Sequence, residues 1–210
     1  MKRLLILGAT GGTGRHLVSQ ALEAGNEVTA YVRDAAKLVV KHERLRVVVG
    51  PIADEARSFR EAMTGQQAVI SALGRGLSLQ SEHLIERCVP PMLSTMKAHG
   101  VGRLIFTSAI GVGAAYAEAP LLSKLMIKVV LKDIYPDKLI GENLIQTSDL
   151  EWTIVQPAGL TNGQLTRRYR VAEHLRHRML ATISRADVAH FLLSQLDDRT
   201  YVRRIAQLGY

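Results

Sequence analysis

One glycine-rich segment near the start of the chain constrains the fold more than any other. Residues 8–14, Gly-Ala-Thr-Gly-Gly-Thr-Gly, have glycine at the first, fourth and seventh positions. The segment follows a short apolar run, Arg3 to Leu7, and leads into a helical pattern, Thr13 to Ala24. Glycines between a strand and a helix permit a tight turn, close approach of a ligand to the backbone, and close packing of the helix on the strand. Amides at the start of that helix then face a phosphate group, so the segment predicts dinucleotide binding.

The rest of the chain alternates strand patterns with helical patterns. Further strands are predicted at Glu27 to Val32, Leu45 to Val49, Gln67 to Ala72, Arg103 to Thr107, Trp152 to Gln156 and Tyr201 to Gln207. Further helices are predicted at Ala53 to Met63, Ser81 to His99, Pro120 to Leu131, Pro136 to Thr147 and Arg185 to Leu196.

Three local features refine this pattern. Ser81 is expected to cap its helix, whereas Pro90 and Pro91 must kink or split it. The segments Tyr169 to Glu173 and Met179 to Ile183 are expected to pair as a hairpin.

The alternation predicts βαβ units and therefore an α/β fold with a doubly wound parallel sheet, the Rossmann fold. Residues 1–210 form one predicted domain with a small C-terminal elaboration, of which residues 157–185 contribute to the substrate cleft.

Composition excludes several other classes of protein. The 210 residues include one cysteine, Cys88, which rules out an intramolecular disulfide and favours a reducing compartment. No apolar run is long enough to span a bilayer. The net charge of +8 comes with only three Phe and one Trp, so attraction of anionic small molecules explains it better than nucleic acid does. We expect a cytoplasmic protein, a monomer or weak homo-oligomer, with no nucleic-acid or membrane partner.

The residue that ends the second strand indicates which dinucleotide is bound. An acidic residue there would hold the ribose hydroxyls of NAD, whereas a cation accepts the 2′-phosphate of NADP. The chain has Arg33, and Arg15 after the glycine segment supplies a second cation. Asp34 is expected to cap the next short helix. NADP(H) is therefore the predicted cofactor, and the alternative is that Arg33 is an ordinary surface arginine.

Several segments together resemble the atypical short-chain dehydrogenase/reductase superfamily, in the group of NmrA-like proteins and biliverdin-IXβ/flavin reductases. They are Gly-Ala-Thr-Gly-Gly-Thr-Gly-Arg at 8–15, Val-Arg-Asp at 32–34, Ala-Val-Ile-Ser-Ala-Leu-Gly at 68–74, Lys-Ala-His-Gly-Val at 97–101, Thr-Ser-Ala at 107–109, Trp-Thr-Ile-Val-Gln-Pro-Ala-Gly-Leu-Thr at 152–161 and Ile-Ser-Arg-Ala-Asp-Val-Ala at 183–189. One departure is Gly50-Pro51, where relatives often have Gly-Asp near the adenine.

The resemblance implies that Leu73 and Gly74 line the cofactor, that Thr107 and Ser108 flank the nicotinamide, and that residues 157–160 close over its carboxamide side. With the glycine segment and the two arginines, the predicted cofactor-binding residues are Gly8, Thr10, Gly11, Gly12, Thr13, Gly14, Arg15, Arg33, Leu73, Gly74, Thr107, Ser108, Pro157, Ala158, Gly159 and Leu160.

The chain lacks the Tyr-x-x-x-Lys pattern of ordinary members, in which lysine lowers the pKa of the catalytic tyrosine. Tyr135 and Lys138 are three apart, but Pro136 is expected to start the helix after Tyr135, so that the two do not share a face. The resemblance then favours NADPH-dependent hydride transfer to a planar acceptor such as flavin, quinone or bilin. Ser108 is the candidate catalytic residue, with a strand-end cap as the alternative.

Several other readings stay open. Arg75 and the basic turn at Arg167 and Arg168 could hold an acidic tail of the acceptor, or could be solvated loops. The rival function is a non-catalytic NADP(H)-binding regulator of the NmrA-like kind, and a sugar-nucleotide epimerase is a third candidate.

A pair of histidines and a lysine-containing helix have ordinary structural explanations. His174 and His177 lie among arginines, which oppose metal binding, so no metal is predicted. The lysines of the helix Leu121 to Leu131, Lys124 and Lys128, favour packing over the cleft rather than a membrane surface.

Overall fold

A computed structural model of the protein describes residues 1–53, 56–74, 76, 80–113, 132–175 and 181–210. Its strands are β1 Arg3–Leu7, β2 Glu27–Val32, β3 Leu45–Val49, β4 Ala68–Ser71, β5 Arg103–Thr107, β6 Glu151–Pro157, β7 Gly159–Thr161, β8 Arg170–Ala172, β9 Thr182–Ser184 and β10 Arg204–Gly209. The α-helices of these ranges are α1 Gly12–Glu23, α2 Arg57–Met63, α3 Leu84–Ala98, α4 Ile134–Gln146 and α5 Arg185–Ser194. The predicted helix Pro120 to Leu131, with Lys124 and Lys128, lies outside the described residues, as do Arg75 and His177.

Eight strands form one sheet in the order β3-β2-β1-β4-β5-β6-β10-β8. Seven of them are parallel, and β8 is antiparallel to β10 at one edge. The chain leaves β1 in one direction to form β2 and β3, and then returns to place β4 on the other side. This reversal between β1 and β4 opens a crevice at the carboxyl ends of the strands, as in other doubly wound folds. The predicted α/β architecture is confirmed.

The two faces of the sheet are covered by different helices. Leu4 and Ile6 of β1 belong to a buried cluster with α1 and α5, whereas Leu5 and Leu7 belong to a second cluster with α2, α3 and α4. Successive side chains of a strand point to opposite faces, so a continuous apolar run is needed where both faces are buried. Because helices cover both faces, the carboxyl ends of the seven parallel strands are left accessible along one side of the sheet.

The predicted hairpin of Tyr169 to Glu173 with Met179 to Ile183 is wrong. Residues Arg170–Ala172 form β8, which pairs with β10, and Thr182–Ser184 form β9, which pairs in parallel with β7. Strands of three residues carry too little local pattern to name their partners, and here both partners come from distant segments. The last strand is β10, Arg204–Gly209, and it begins three residues later than the pattern predicted.

Pro90 and Pro91 do not split the third helix, which runs without interruption from Leu84 to Ala98. Its buried face, which includes Val89, Pro91 and Met92, packs in the core and offsets the lost backbone hydrogen bonds.

The start of α3 also differs from the expectation. Ser81 accepts a hydrogen bond from His83 N but is not the N-cap, because the helix begins only after His83. The amides of Ile85 and Glu86 donate instead to Asp137 of α4, at 3.1 and 2.9 Å. A cap from a distant helix leaves no local signal in the sequence.

Candidate active site at the carboxyl edge of the sheet

The glycine-rich turn connects β1 to α1 and is packed tightly against its neighbours. Gly8 has φ +76°, and a Cβ atom there would lie 2.4 Å from Ala72 O at the end of β4. A Cβ atom at Gly14 would lie 2.1 Å from Gly8 O, so the first turn of α1 rests directly on the turn. The amide of Gly11 donates to Gly8 O at 3.0 Å. Only glycine fits at both ends of this turn, and the first amides of α1 are left to face the crevice.

A corner with two arginines lies beyond the end of β2. Arg15 donates to Thr10 O at 3.1 Å and to Lys37 O at 3.3 Å, which fixes it between the turn and the segment after β2. Asp34 accepts a hydrogen bond from Ala36 N at 3.0 Å and so caps a short 3-10 helix, as predicted. Arg33 is exposed. Its charge is close enough to Cys88 of α3 to oppose the rise that burial causes in the pKa of that thiol.

Buried hydroxyl groups lie at the ends of β4 and β5. Ser71, Thr107 and Ser108 are 0%, 7% and 5% exposed. The hydroxyls of Ser71 and Thr107 have no hydrogen-bond partner of good geometry among the described residues, and the Ser108 hydroxyl has only the nearby Glu142 carboxyl group, without good hydrogen-bond geometry. Buried polar groups are nearly always hydrogen-bonded in proteins, so unpaired hydroxyls at a cleft indicate a bound ligand or water. Ser108 N donates to Val155 O at 2.7 Å, which holds the residue beside the end of β6.

A buried carboxyl group lies next to Ser108. Glu142 of α4 is 1% exposed, and Gln156 Nε2 donates to both of its oxygens, at 3.0 and 3.2 Å. Burial raises the pKa of Glu142, while the Ser108 hydroxyl, the Gln156 amide and the charge of Lys138 partly oppose the rise. The sequence analysis missed Glu142. Its only sequence signal is a charged residue on the inward face of an amphipathic helix.

Tyr135 is part of α4, because the helix begins at Ile134 and not after Tyr135 as expected. Its hydroxyl donates to Ile110 O at 2.7 Å, and burial raises the pKa of Tyr135 to about 12. Burial also lowers the pKa of Lys138 to about 8, against the opposing effects of Glu142 and Asp137. The tyrosine is therefore a poorer acid than a free one and its proton is already engaged, which is the opposite of what an activated Tyr–Lys pair requires.

A wall follows β6 and closes one side of the cleft. Pro157 and Ala158 are buried, whereas Gly159 and Leu160 are exposed. Ala158 N donates to Leu208 O at 2.8 Å, and Gly159 N donates to Ala181 O at 3.1 Å. The wall is therefore tied to β10 and to the start of β9.

The basic turn beyond this wall is held by Asp187, the third residue of α5. Thr166 N and Arg167 N donate to Asp187 Oδ1 at 2.9 and 2.7 Å, and the Thr166 hydroxyl donates to Oδ2 at 2.7 Å. Tyr210 also donates to Oδ2, at 2.6 Å. Asp187 was not predicted, although it belongs to one of the segments that carry the family resemblance.

A third residue of the site that was not predicted from the sequence is Arg185, the first residue of α5. Its side chain crosses the start of α1, where a Cβ atom at Gly12 would lie 2.7 Å from Arg185 Cδ. Arg185 Nη1 donates to Asn162 Oδ1 at 2.8 Å. The two residues are distant in sequence from the glycine turn, so no local pattern could join them to it.

The predicted residues all follow strands that end at one edge of the sheet. Residues 8–15 follow β1, Arg33 follows β2, and Leu73 and Gly74 follow β4. Thr107 is the last residue of β5 and Ser108 follows it, and Pro157 ends β6 while Ala158, Gly159 and Leu160 lead into β7. Neighbouring parallel strands bring these groups together at the site where doubly wound folds bind nucleotides.

The described residues were also searched for metal sites and for membrane-spanning helices. They contain no group of three or more His, Cys, Asp or Glu side chains placed to hold a metal ion. No helix among them is both long enough and apolar enough to cross a bilayer. The fold and the cleft are those of a nucleotide-binding α/β protein.

Residues 8–199 match the family model described as NAD(P)H-binding, so the chain belongs to this NAD(P)H-binding family. Among curated relatives, the oxidoreductase aflX of Aspergillus parasiticus is 26% identical, over 96% of this chain and 80% of its own length. The photosystem II assembly factor Ycf39 of Synechocystis sp. is 28% identical over 77% of this chain. The chain spans about half the length of this second relative, 46%.

Solved structures show the same fold. A short-chain dehydrogenase/reductase from Veillonella parvula in complex with NADP is 20% identical with a TM-score of 0.83, over 100% of this chain and 94% of the other. ChuY, an anaerobillin reductase from Escherichia coli O157:H7, is 21% identical with a TM-score of 0.78, over 99% of this chain and 96% of the other.

Proposed function

We propose that the protein is an NADPH-dependent oxidoreductase that passes hydride to a planar acceptor such as a flavin, a quinone or a bilin. The observation that carries this proposal is a pair of buried hydroxyls, on Thr107 and Ser108, which have no hydrogen-bond partner of good geometry among the described residues and follow the sheet edge that also holds the glycine-rich turn. Such a cleft can hold a nicotinamide and an acceptor. Tyr135, a tyrosine of the described residues that could serve alcohol or carbonyl chemistry, donates its proton to Ile110 O instead.

The chain's own residues supply binding and orientation. The first amides of α1 hold the pyrophosphate, and Arg33 with Arg15 holds the 2′-phosphate that distinguishes NADPH from NADH. When bound, NADPH supplies the hydride. The Ser108 hydroxyl donates a hydrogen bond to the acceptor or to the carboxamide, and residues 157–160 exclude water from that side.

The names of two similar proteins support this class of reaction without fixing the acceptor. The relative aflX is named an oxidoreductase, and the fold neighbour ChuY is named an anaerobillin reductase. A bilin-like acceptor is planar and carries carbonyl groups and nitrogens that a serine hydroxyl can reach. This is the acceptor class that we would test first.

The second candidate is a non-catalytic NADP(H)-binding regulator. The engaged hydroxyl of Tyr135 and the assembly-factor name of the relative Ycf39 favour it. Such a protein would keep the cofactor cleft and dispense with turnover.

The test is oxidation of NADPH by the purified protein with a panel of flavins, quinones and bilins. We expect turnover with at least one acceptor, and Ser108→Ala should lower kcat about 2- to 12-fold through loss of one neutral hydrogen bond. The matched control is Ser148→Ala, because the Ser148 hydroxyl only donates to Ile145 O at the end of α4. Tight NADPH binding without turnover on any acceptor would favour the regulator.

A further inference from the structure

In the protein without a bound ligand, the positive charge of Arg185 lies in an electrostatically unfavourable place. Arg185 is the first residue of α5, and its aliphatic stem lies on the first residue of α1. The start of a helix carries a partial positive charge, so the guanidinium lies at the positive ends of two helices. Proteins normally place acidic groups there, and exceptions to such local rules are concentrated at functional sites.

No carboxylate of the described residues compensates for this charge. Arg185 is half-buried and forms no ion pair within that part of the chain. Asp187 lies two residues away, but its oxygens accept hydrogen bonds from Thr166, Arg167 and Tyr210. An arginine without an anion, next to two helix termini, is therefore well placed to bind an anion from outside the chain.

The arginine is nevertheless held in a defined orientation. Nη1 donates to Asn162 Oδ1 at 2.8 Å and to Leu160 O at 3.5 Å. A Cβ atom at Gly12 would lie 2.8 Å from Nε, so any other residue at position 12 would displace the side chain. A guanidinium has five N–H donors, and these contacts leave most of them available for phosphate oxygens.

We propose that Arg185 binds the pyrophosphate of the dinucleotide, from the side opposite the first amides of α1. The proposal rests on NAD(P)H binding by this family and is independent of the acceptor. Asn162 is the positioning residue, because it holds the guanidinium over the turn. Leu160 of the wall and Asn162 just beyond it are thereby connected to the cofactor site through the Arg185 side chain.

The test compares the affinities of Arg185→Met for NADPH and for NADH. Both dinucleotides contain the pyrophosphate, so we expect both to bind about 10-fold more weakly, with their ratio unchanged. The matched control is Arg46→Met, which removes an exposed arginine of the edge strand β3 that belongs to no part of the proposed site. Arg46→Met should bind both dinucleotides within about 2-fold of the wild type.

A second readout separates binding from structural support. Since Arg185 sits at two positive helix ends, the free Arg185→Met protein should melt at the same temperature as the wild type or higher. Asn162→Ala keeps the charge but loses its orientation, and it should show a smaller loss of affinity for both dinucleotides.

Three outcomes would overturn the proposal: unchanged affinities in Arg185→Met, a loss confined to NADPH, or a loss accompanied by a lower melting temperature of the free protein. If the wild type bound neither dinucleotide, the cofactor assignment would fail with it. Failure to turn over any acceptor, with the binding pattern as expected, would leave the Arg185 assignment supported and contradict only the proposed reaction.

Discussion

At the scale of single residues, we propose that Arg33 determines which dinucleotide the cleft prefers. Arg33 directly follows β2 and is exposed, and the carboxylate of Asp34 beside it is engaged as the cap of the next short helix. We predict that Arg33→Ala weakens NADPH about 10-fold and leaves NADH nearly unchanged. This is the low end for a charge-assisted hydrogen bond, because the site is solvated and Arg15 remains.

The measurement is a pair of binding titrations at one moderate ionic strength. Arg46→Ala is the matched control, since Arg46 is an exposed arginine of the neighbouring strand β3. An equal loss of NADPH and NADH would show that Arg33 supports the fold or the pyrophosphate site instead.

The site residues that could be predicted from the sequence are those whose role depends on neighbouring residues in the chain. Gly8 and Gly14 have their positions because a Cβ atom at either would overlap backbone within the same strand-turn-helix unit or its neighbour. Arg185 and Glu142 reach the cleft only after α5 and α4 have packed on the sheet. No sequence spacing encodes those contacts.

Helix α5 depends on Asp187 at the scale of elements. Its fully buried carboxylate accepts hydrogen bonds from Thr166, Arg167 and Tyr210, while its own amide donates to the capping Ser184 Oγ at 3.0 Å. Burial raises the pKa of Asp187, but the hydrogen bonds from Tyr210, Thr166 and Arg167 outweigh it, and the net shift is downward.

We predict that Asp187→Asn destabilises the protein by about 2 kcal/mol at pH 7, since an amide cannot accept at both former oxygens. A carboxyl group whose pKa is lowered on folding contributes stability above its unfolded pKa, and that contribution is lost as pH falls through the folded value. The difference between the variant and the wild type should therefore shrink below about pH 4.

Urea unfolding at pH 7 and at lower pH values measures this difference. The exposed Asp149, in the loop before β6, gives the matched control Asp149→Asn, which should change stability little. A destabilisation of Asp187→Asn that stayed constant down to acidic pH would contradict an ionised carboxylate at this position.

The elements themselves were predictable to different degrees. The bounds of β1, β2 and β5 follow from largely apolar runs between polar flanks, because a strand buried on both faces must be largely apolar. The predicted start of α4 was two residues too late, because Ile134 and Tyr135 are already helical. The predicted pairing of β8 with β9 was wrong, because each strand pairs with a partner from a distant segment and no local turn joins the two.

The net charge of +8 acts at the scale of the whole molecule. A positive field attracts anionic dinucleotides, and salt shortens its range from about 10 Å at 0.1 M to about 3 Å at 1 M. We predict that the affinity for NADPH falls several-fold over this range and that the affinity for NADH falls less, because NADH lacks the 2′-phosphate. Titrations at several salt concentrations, with sucrose as an uncharged control, measure the slope. Salt-independent binding would mean that the charge plays no part in holding the cofactor.

The packing of α5 against α1 has a consequence for how the protein is made. Leu4 and Ile6 share one buried cluster with Val188 and Leu192 of α5, which leave the ribosome roughly 180 residues later, or about 10 to 40 s at ordinary translation rates. Until then the part of this cluster that α5 completes is open to water and to other chains. Completion of the fold therefore waits for the last helix, and a nascent chain stalled before α5 presents the kind of surface that chaperones bind.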